Sequence, residues 1–578
     1  AFEGITASGT WTIYLNCKGN CNATNMDWAI LAVLDNTAPS APTNLAIVES
    51  GDTSVKLKWS QNSESDVIGY YIYRGTSANP TTLIDSTTSK SDTTKLVTGL
   101  TTDTKYYFRV KAVDHVWNIS DYSNETSVTP THNTKIYVAT SGNDTGSSGL
   151  QSSPFKTIGA ATAYSKAGDS VFVGKGTYNE IDILIQYPIT LKSLEGADST
   201  IIDGLSLGRI MDIEAEATIR GITFTNGYKT NDAAGGIAIN STATNSVIDS
   251  CRFINNQSPK SSDYFGGAIG SRYAKVTISN SYFAGNTGRE GGAIGLRSDN
   301  GSIITNCVFK SNVSTDFGSA VYIVYNDSDL DTTRIINSIF INEGKKVIEK
   351  EQTSDRLEID NCQFYGGNGK VLNLRSTNNS LTNSIFKNRV VNEDSYYTMI
   401  DVEGAIDIEN CSFISNEFGK GNLIYTTSGF ASTIKNSKFL YNTSQNMDSN
   451  RPFLSVEADF TDCIFFGNEF SNNNFNYFIR TNPPQKSTFE YSLTDFEIEQ
   501  GYSKLGNIFK RPLFCLSDTT YSKVAANSPL LGSSVSGGNI GSVISSCDTI
   551  DATKIPYKNE FDLVIFKSIL GDAPMIQL

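Results

Sequence analysis

A phenylalanine that returns every 22 to 31 residues is the strongest constraint in this sequence: Phe224, Phe253, Phe283, Phe309, Phe340, Phe364, Phe386, Phe413, Phe439 and Phe465. Self-similarity at such a period marks a stack of supersecondary units, each burying its apolar face against the next. Three positions before these phenylalanines stand Gly221, Ser250, Asn280, Asn306, Asn337, Asn361, Asn383, Asn410, Asn436 and Asp462. All but Ser250 are residue types that tolerate a left-handed backbone, so the position reads as a bend. Two positions before each Phe, from the second onward, Cys and Ser alternate strictly: Cys251, Ser281, Cys307, Ser338, Cys362, Ser384, Cys411, Ser437 and Cys463. A small residue two before a large one puts both side chains on the same face of a strand. Two further β-like runs lie between successive phenylalanines, for example SAVYIV and TRIINS, or KVLNLR and NSLTNS. Three strands per turn make one coil of a parallel β-helix. A leucine-rich repeat of similar period would need Leu at fixed offsets and a helical return limb, and the return segments here are Gly/Ser/Asn loops.

Stacking at about 4.8 Å per coil predicts a column of Phe rings and an Asn ladder whose amides bond from rung to rung. In FGGAIGSRYAKVTISNSYFAGNTGREGGAIGL (265–296), each GGAI becomes the second strand of a coil, with its glycines turning the chain tightly into it. The five ladder cysteines fall on alternate coils, roughly 9.6 Å apart, beyond the ~7 Å reach of a disulfide. They are expected to be buried free thiols that pack as small hydrophobes. Cys17 with Cys21, and Cys515 with Cys547, lie outside the ladder and could each pair, which suits an extracellular location.

At 578 residues the chain exceeds one ordinary core, and its net charge of -14 opposes nucleic-acid or anionic-membrane partners. No apolar run approaches the length of a membrane span. The chain opens on Ala1 in what reads as the middle of a domain, so the natural N-terminus is expected to be missing.

Upstream of the repeat, APSAPTNLAIV, SVKLKWS, VIGYYIYRG and LVTGLTTDTKYYFRVKAVD alternate in the manner of a β-sandwich of about 90 residues. Trp59, Tyr71, Leu100, Tyr106 and Val110 stand where fibronectin type III domains carry their core Trp, core Tyr and tyrosine corner, and residues 38–131 resemble that family. Before them, FEGITASGTWTIYLN and MDWAILAVLD in residues 1–37 resemble the last strands of a proprotein-convertase P-like jelly roll. After them, KIYVATSGNDTGSSGLQSSPFKTIGAATAYSKAGDSVFVGKGTYNE resembles the opening of secreted right-handed β-helix proteins of the pectate-lyase-like superfamily. That resemblance implies a capping helix in PFKTIGAATAYSKAGD and a first rung in VFVGKGTY. The GGAI and Phe-x-x-Asn pairs are similar to repeats of bacterial polymorphic outer-membrane proteins. RPLFCLSDTTYSKVAANSPLLGSSV looks like the closing segment of secreted β-helices. The predicted fold class is therefore all-β, with a right-handed parallel β-helix over 135–547, the sandwich before it and a tail at 548–578 of unassigned role.

Members of that superfamily include polysaccharide lyases and hydrolases that use acidic residues from neighbouring coils. Taking the outward positions of the second strand gives one column of Tyr322, Glu349, Asn373, Asp401, Tyr425, Ser455 and Arg480. A parallel one reads Arg272, Arg297, Val324, Glu351, Arg375, Glu403, Thr427 and Glu457. A hydrolase needs two carboxylates, roughly 6.5–9.5 Å apart for inversion, and Glu349 and Asp401 are the catalytic candidates. Arg375, set between Glu351 and Glu403, instead suggests a solvated ladder of alternating charge. Tyr322, Arg375, Asp401, Glu403 and Tyr425 are the candidate binding residues, with the tyrosines as flat platforms for a polysaccharide or cell-surface glycan. Both histidines, His115 and His132, fall outside the repeat, which removes His-dependent polygalacturonase-type sites. Asp327, Asp329 and Asp331 in YNDSDLD are calcium candidates, without the Gly and distal Glu of an EF-hand. The sequons at Asn118, Asn124, Asn240, Asn312, Asn326 and Asn442 fit chance occurrence in an Asn- and Ser-rich repeat. These readings favour a secreted or surface-displayed protein whose β-helix is a rigid binding or adhesion module. The alternative is an extracellular polysaccharide lyase or glycoside hydrolase, and a cleft rather than a flat face along the columns would favour it.

Overall fold

The computed structural model describes residues 35–490 except 146, 148, 231–233, 260–265, 298–300, 325–331, 354–355, 392–397, 420, 428, 445–452 and 471–486. Beyond these it describes 492–494, 507–508, 523–526, 528–531, 533–534, 539–541 and 543–547. The chain forms two compact units, one of residues 1–137 with 141–155 and one of 138–140 with 156–578.

The first unit is a β-sandwich. Strands Ala46–Ser50, Val55–Lys58 and Thr94–Val97 make one antiparallel sheet. Thr82–Ser86, Val67–Gly75, Tyr106–Asp114 and Thr126–Val128 make the other, in that spatial order. Val55, Leu57, Trp59, Ile72, Phe108 and Val110 are buried between them. The core tyrosine is Tyr70, one residue before the expected Tyr71. Its ring meets Trp59 edge-on at 5.3 Å, and its hydroxyl accepts from Asn62 N at 3.1 Å. The run YYIY is apolar on both faces, so its own alternation carries no phase. The phase comes from the partner strand: Tyr70 lies opposite Ala112 and Ile72 opposite Val110, both buried, whereas Tyr71 lies opposite Lys111. The tyrosine corner is present, with Thr101 N donating to the Tyr106 hydroxyl at 3.1 Å.

The second unit opens with the helix Ile158–Tyr164. Thr157 caps it by accepting from Ala160 N, and the Glu180 carboxylate takes the N–H groups of Ile158 and Gly159 at 2.8 Å each. These bonds satisfy donors that a helix start otherwise leaves unpaired. Next come coils of three strands that build three parallel sheets. The first sheet runs from Gly176–Asn179 to Leu493–Thr494, the second from Ile183–Ile185 to Leu454–Ser455, and the third from Ser170–Val173 to Thr488–Glu490. The architecture is a parallel β-solenoid. Two small side sheets sit after the Phe strands: Gln257–Ser258, Thr287–Glu290 and Val313–Phe317 form one, and Val390–Val391, Glu417–Phe418, Thr443–Ser444 and Glu469–Phe470 the other.

The column of phenylalanines is continuous from Phe224 to Phe465, with ring centroids 4.6–5.1 Å apart and planes within 18° of parallel. The coil rise sets this spacing, which exceeds van der Waals contact between flat faces, so the rings stack with an offset. All ten bend positions three residues earlier, Ser250 included, have φ between 48° and 66°. Cys251, Cys307, Cys362, Cys411 and Cys463 are buried and unpaired, and burial pushes each thiol up to about 12. The serines between them have a bonding role. Ser281, Ser338, Ser384 and Ser437 each accept the Cys N–H of the preceding coil at 3.1–3.2 Å and donate to a carbonyl of their own coil. Cys17, Cys21, Cys515 and the side chain of Cys547 lie outside the described residues.

The Asn ladder stands three residues after Phe253, Phe283, Phe309, Phe413, Phe439 and Phe465. Asn286 Nδ2 donates to Asn312 Oδ1 at 2.9 Å and to the Phe253 carbonyl at 3.0 Å, while Asn286 N takes Asn312 Oδ1 at 3.1 Å. Asn256, Asn312, Asn416 and Asn442 repeat this pattern and are fully buried, so the sequons at Asn312 and Asn442 are closed to modification in the folded chain. Gly292, in the second GGAI, serves close approach: a Cβ there would meet the Ser319 carbonyl of the next coil at 2.0 Å.

Candidate functional site

Strand register places Tyr322, Glu349, Asn373, Asp401, Tyr425 and Ser455 in one column of the second sheet, each opposite the next. Arg480 lies outside the described residues, as do Asp327, Asp329 and Asp331. The column is not one continuous surface. Tyr322 and Glu349 are wholly buried and Asn373 nearly so, whereas Asp401 is half-buried and Tyr425 is 38 % exposed.

Tyr322 is therefore not a platform for a ligand. Phe317, at the end of a side-sheet strand, stacks on its ring at 5.4 Å, and its hydroxyl donates to Glu351 Oε2 at 2.9 Å. Register says which way a side chain leaves a sheet; it does not say what the corner segments lay over it. Glu349 is corrected in the same way. Its Oε1 accepts from Lys346 Nζ at 3.0 Å and from Asn373 Nδ2, and its Oε2 from Gly318 N at 3.1 Å. Burial raises its pKa against the opposing pull of Lys346. A carboxylate whose acceptors are all engaged by its own protein is a structural anchor. Asp401 is ion-paired with Lys370, and Asn373 stands between it and Glu349.

The parallel column carries the alternating charges that its sequence suggests. Arg375 reaches Glu351 at 3.6 Å and Glu403 at 3.5 Å, and both Arg375 and Glu403 are exposed. With Asp401 and Tyr425 they form the open, polar lower part of the face.

Three charged side chains escaped the sequence reading. Glu290, just before the second GGAI, is 3 % exposed, and its Oε2 has no hydrogen-bond partner. Burial pushes its carboxyl up to about 7; Glu351 and Asp316 add to this while Arg289 and Arg297 oppose it. The available signal was an acidic residue at the entry to a buried Gly-Gly strand. Glu343 and Arg389 break the Asn ladder. Glu343 Oε1 accepts from Asn312 N at 3.2 Å and Asn312 Nδ2 at 3.0 Å, as an asparagine would. Arg389, 1 % exposed, fills the space left by Gly367 one coil earlier and donates to the carbonyls of Gly366 and Gly369 at 2.5 and 3.2 Å. Burial pushes the Glu343 carboxyl up to about 8 and the Arg389 guanidinium down to about 10, and each charge partly offsets the other's shift. The signal was opposite charges two coils apart, with Gly367 between them, in a column made mostly of asparagines.

Fold and face together define a β-solenoid chain that carries a separate β-sandwich. Residues 40–129 match the family model for the fibronectin type III domain, and this part of the chain is such a domain. The chain is similar to chitinase A1 of Niallia circulans, with 34% identity over 134 residues, 22% of this chain and 18% of that protein. It is similar to exoglucanase B of Cellulomonas fimi, with 35% identity over 136 residues, 22% of this chain and 12% of that protein. Chitinase Chi52 of Paenibacillus xylanexedens is 43% identical over 96 residues, 16% of this chain and 17% of that protein. The chain thus spans less than a fifth of the length of these relatives.

Proposed function

We propose that this chain belongs to an extracellular carbohydrate-associated protein in which the solenoid is a rigid binding module. The observation that carries this reading is the ion ladder Glu351–Arg375–Glu403 beside exposed Tyr425. It is an open polar face with an aromatic platform, and its carboxylates are engaged by Arg and Lys side chains. Aromatic faces pack on the apolar faces of sugar rings, while charged side chains bond their hydroxyls. The similarity to chitinases and exoglucanases supports carbohydrate as the ligand class and secretion as the location. The test is co-sedimentation of the chain with insoluble chitin and cellulose, together with a glycan array. Tyr425→Ala is expected to weaken retention about tenfold, and Tyr71→Ala, on the sandwich, to leave it unchanged. Absence of glycan binding by the wild type, or equal binding by Tyr425→Ala, would contradict the reading.

A second reading, a polysaccharide-cleaving enzyme, is favoured by Glu290 alone. This residue is 3 % exposed, its Oε2 has no hydrogen-bond partner and burial pushes its carboxyl up to about 7, which favours the protonated state a glycosidic general acid needs.

A further inference from the structure

We propose that Asp35, Asp66 and His115 form a binding site for a divalent transition-metal cation, of which Zn²⁺ is the type, at one end of the fibronectin type III unit. Each residue offers one ligand atom, and the three atoms lie within 4.8 Å of one another. They come from separate parts of the chain that the sandwich brings together. Asp66 immediately precedes the strand Val67–Gly75, and His115 immediately follows its antiparallel neighbour Tyr106–Asp114. Val67 pairs with Asp114, and His115 N donates to the Asp66 carbonyl at 3.0 Å, so the two ligands are held side by side. Asp35 lies in the segment that leads into the sandwich. Asn118 Nδ2 fixes it there by donating to its carbonyl at 3.0 Å. The turn that presents His115 is itself rigid: buried Asp114 accepts from Val116 N and Asn118 N at 2.9 and 2.8 Å and from Asn118 Nδ2 at 2.9 Å.

Charge gives the arrangement its direction. Among the described residues, neither Asp35 nor Asp66 is ion-paired with a Lys or Arg, in contrast to Asp85, Asp212 and Asp401. Two carboxylates this close repel each other, and a cation between them turns that repulsion into attraction. The imidazole selects among cations. Ca²⁺ and Mg²⁺ take oxygen ligands, whereas one imidazole with two carboxylates is a donor set for Zn²⁺ and its first-row neighbours. Three protein ligands leave a fourth tetrahedral position for water, and exposed His115 leaves the site open to solvent. A bound ion would tie the entering segment to the end of the sandwich. The other histidine of the chain, His132, lies 3.6 Å from Asp52 and belongs to no such cluster among the described residues.

The presence of only two histidines makes the test direct. The metal-free full chain, labelled at histidine, is titrated with Zn²⁺ while both imidazoles are followed by NMR, with calorimetry in parallel. The expected result is saturation at one equivalent, movement of the His115 signals with those of His132 fixed, and no comparable response to Ca²⁺. His115→Gln and Asp66→Asn should each weaken Zn²⁺ binding by about tenfold or more, while His132→Gln keeps wild-type affinity. The proposal is overturned if Zn²⁺ leaves His115 unmoved, if either ligand variant binds as tightly as wild type, or if Ca²⁺ binds there equally well. If a variant does not fold, the wild-type NMR titration decides alone.

Discussion

At position 343 a glutamate stands where the ladder otherwise carries asparagine. Its Oε1 does the work of an Asn oxygen, while its Oε2 is buried without a partner. Because burial holds the folded pKa near 8, above the ordinary carboxylate value, the folded chain keeps a proton that the unfolded chain releases. The associated stability is fully present below the unfolded pKa of about 4.3 and is lost as pH rises through the folded value near 8. Glu343→Gln keeps the accepting oxygen and removes the titration. Its unfolding free energy, measured in denaturant from pH 5 to 8, should fall less steeply than that of the wild type. An unchanged slope would show that Glu343 is ionised in the fold. Gly367 is the companion case. It sits at φ +79°, and an added Cβ would come within 2.4 Å of Arg389 Nη1 and of the Glu343 carbonyl. Gly367→Ala should therefore destabilise by about 1–3 kcal/mol by displacing Arg389, read as a lower urea midpoint. The opposite charges at 343 and 389 were visible in the sequence, but Arg389 reaching into the gap above Gly367 was not, because that depends on three coils at once.

Each Phe of the column is sandwiched by the rings of adjacent coils, so Phe309→Ala should cost about 3–5 kcal/mol. A loss below about 1 kcal/mol in denaturant unfolding would mean that the stack is not the core. The five ladder thiols should resist a thiol reagent in the native chain and label fully once it is unfolded. Fast native labelling would contradict their burial. Residue types in columns were legible because a solenoid repeats one environment. Asn, Gly and Asp at the bends announced a positive φ, and Cys/Ser alternation announced a small buried position. The bonding reason for the alternation, a serine hydroxyl bridging to the Cys N–H of the preceding coil, appears only once coils are in register. Tyr70 rather than Tyr71 fills the core because YYIY has no internal phase, and Phe317 covers Tyr322, which nothing in its own strand reports.

The two compact units answer to different parts of the sequence and divide the account between them. The sandwich carries the family match, while the solenoid carries the face proposed to meet a glycan. Fold class was legible for the sandwich and for the solenoid, while the jelly-roll reading of 1–37 and most of the closing segment fall outside the described residues. Of the candidate site, the open part around Arg375, Asp401, Glu403 and Tyr425 was legible, while the part around Tyr322 and Glu349 was hidden by side segments and Glu290 was missed. The binding account and the enzyme reading separate on turnover. Losing an essential acid or base costs roughly a hundredfold or more in rate, whereas a binding face has no turnover to lose. The decisive measurement is release of reducing ends and unsaturated products from chitin, cellulose and pectin by the wild-type chain, Glu290→Gln and Asp401→Asn. The binding account predicts no product above background from any of the three, with glycan retention intact in Glu290→Gln, whose side chain is buried away from the open face. Product from the wild type that disappears in Glu290→Gln or Asp401→Asn would contradict it and make the solenoid an enzyme.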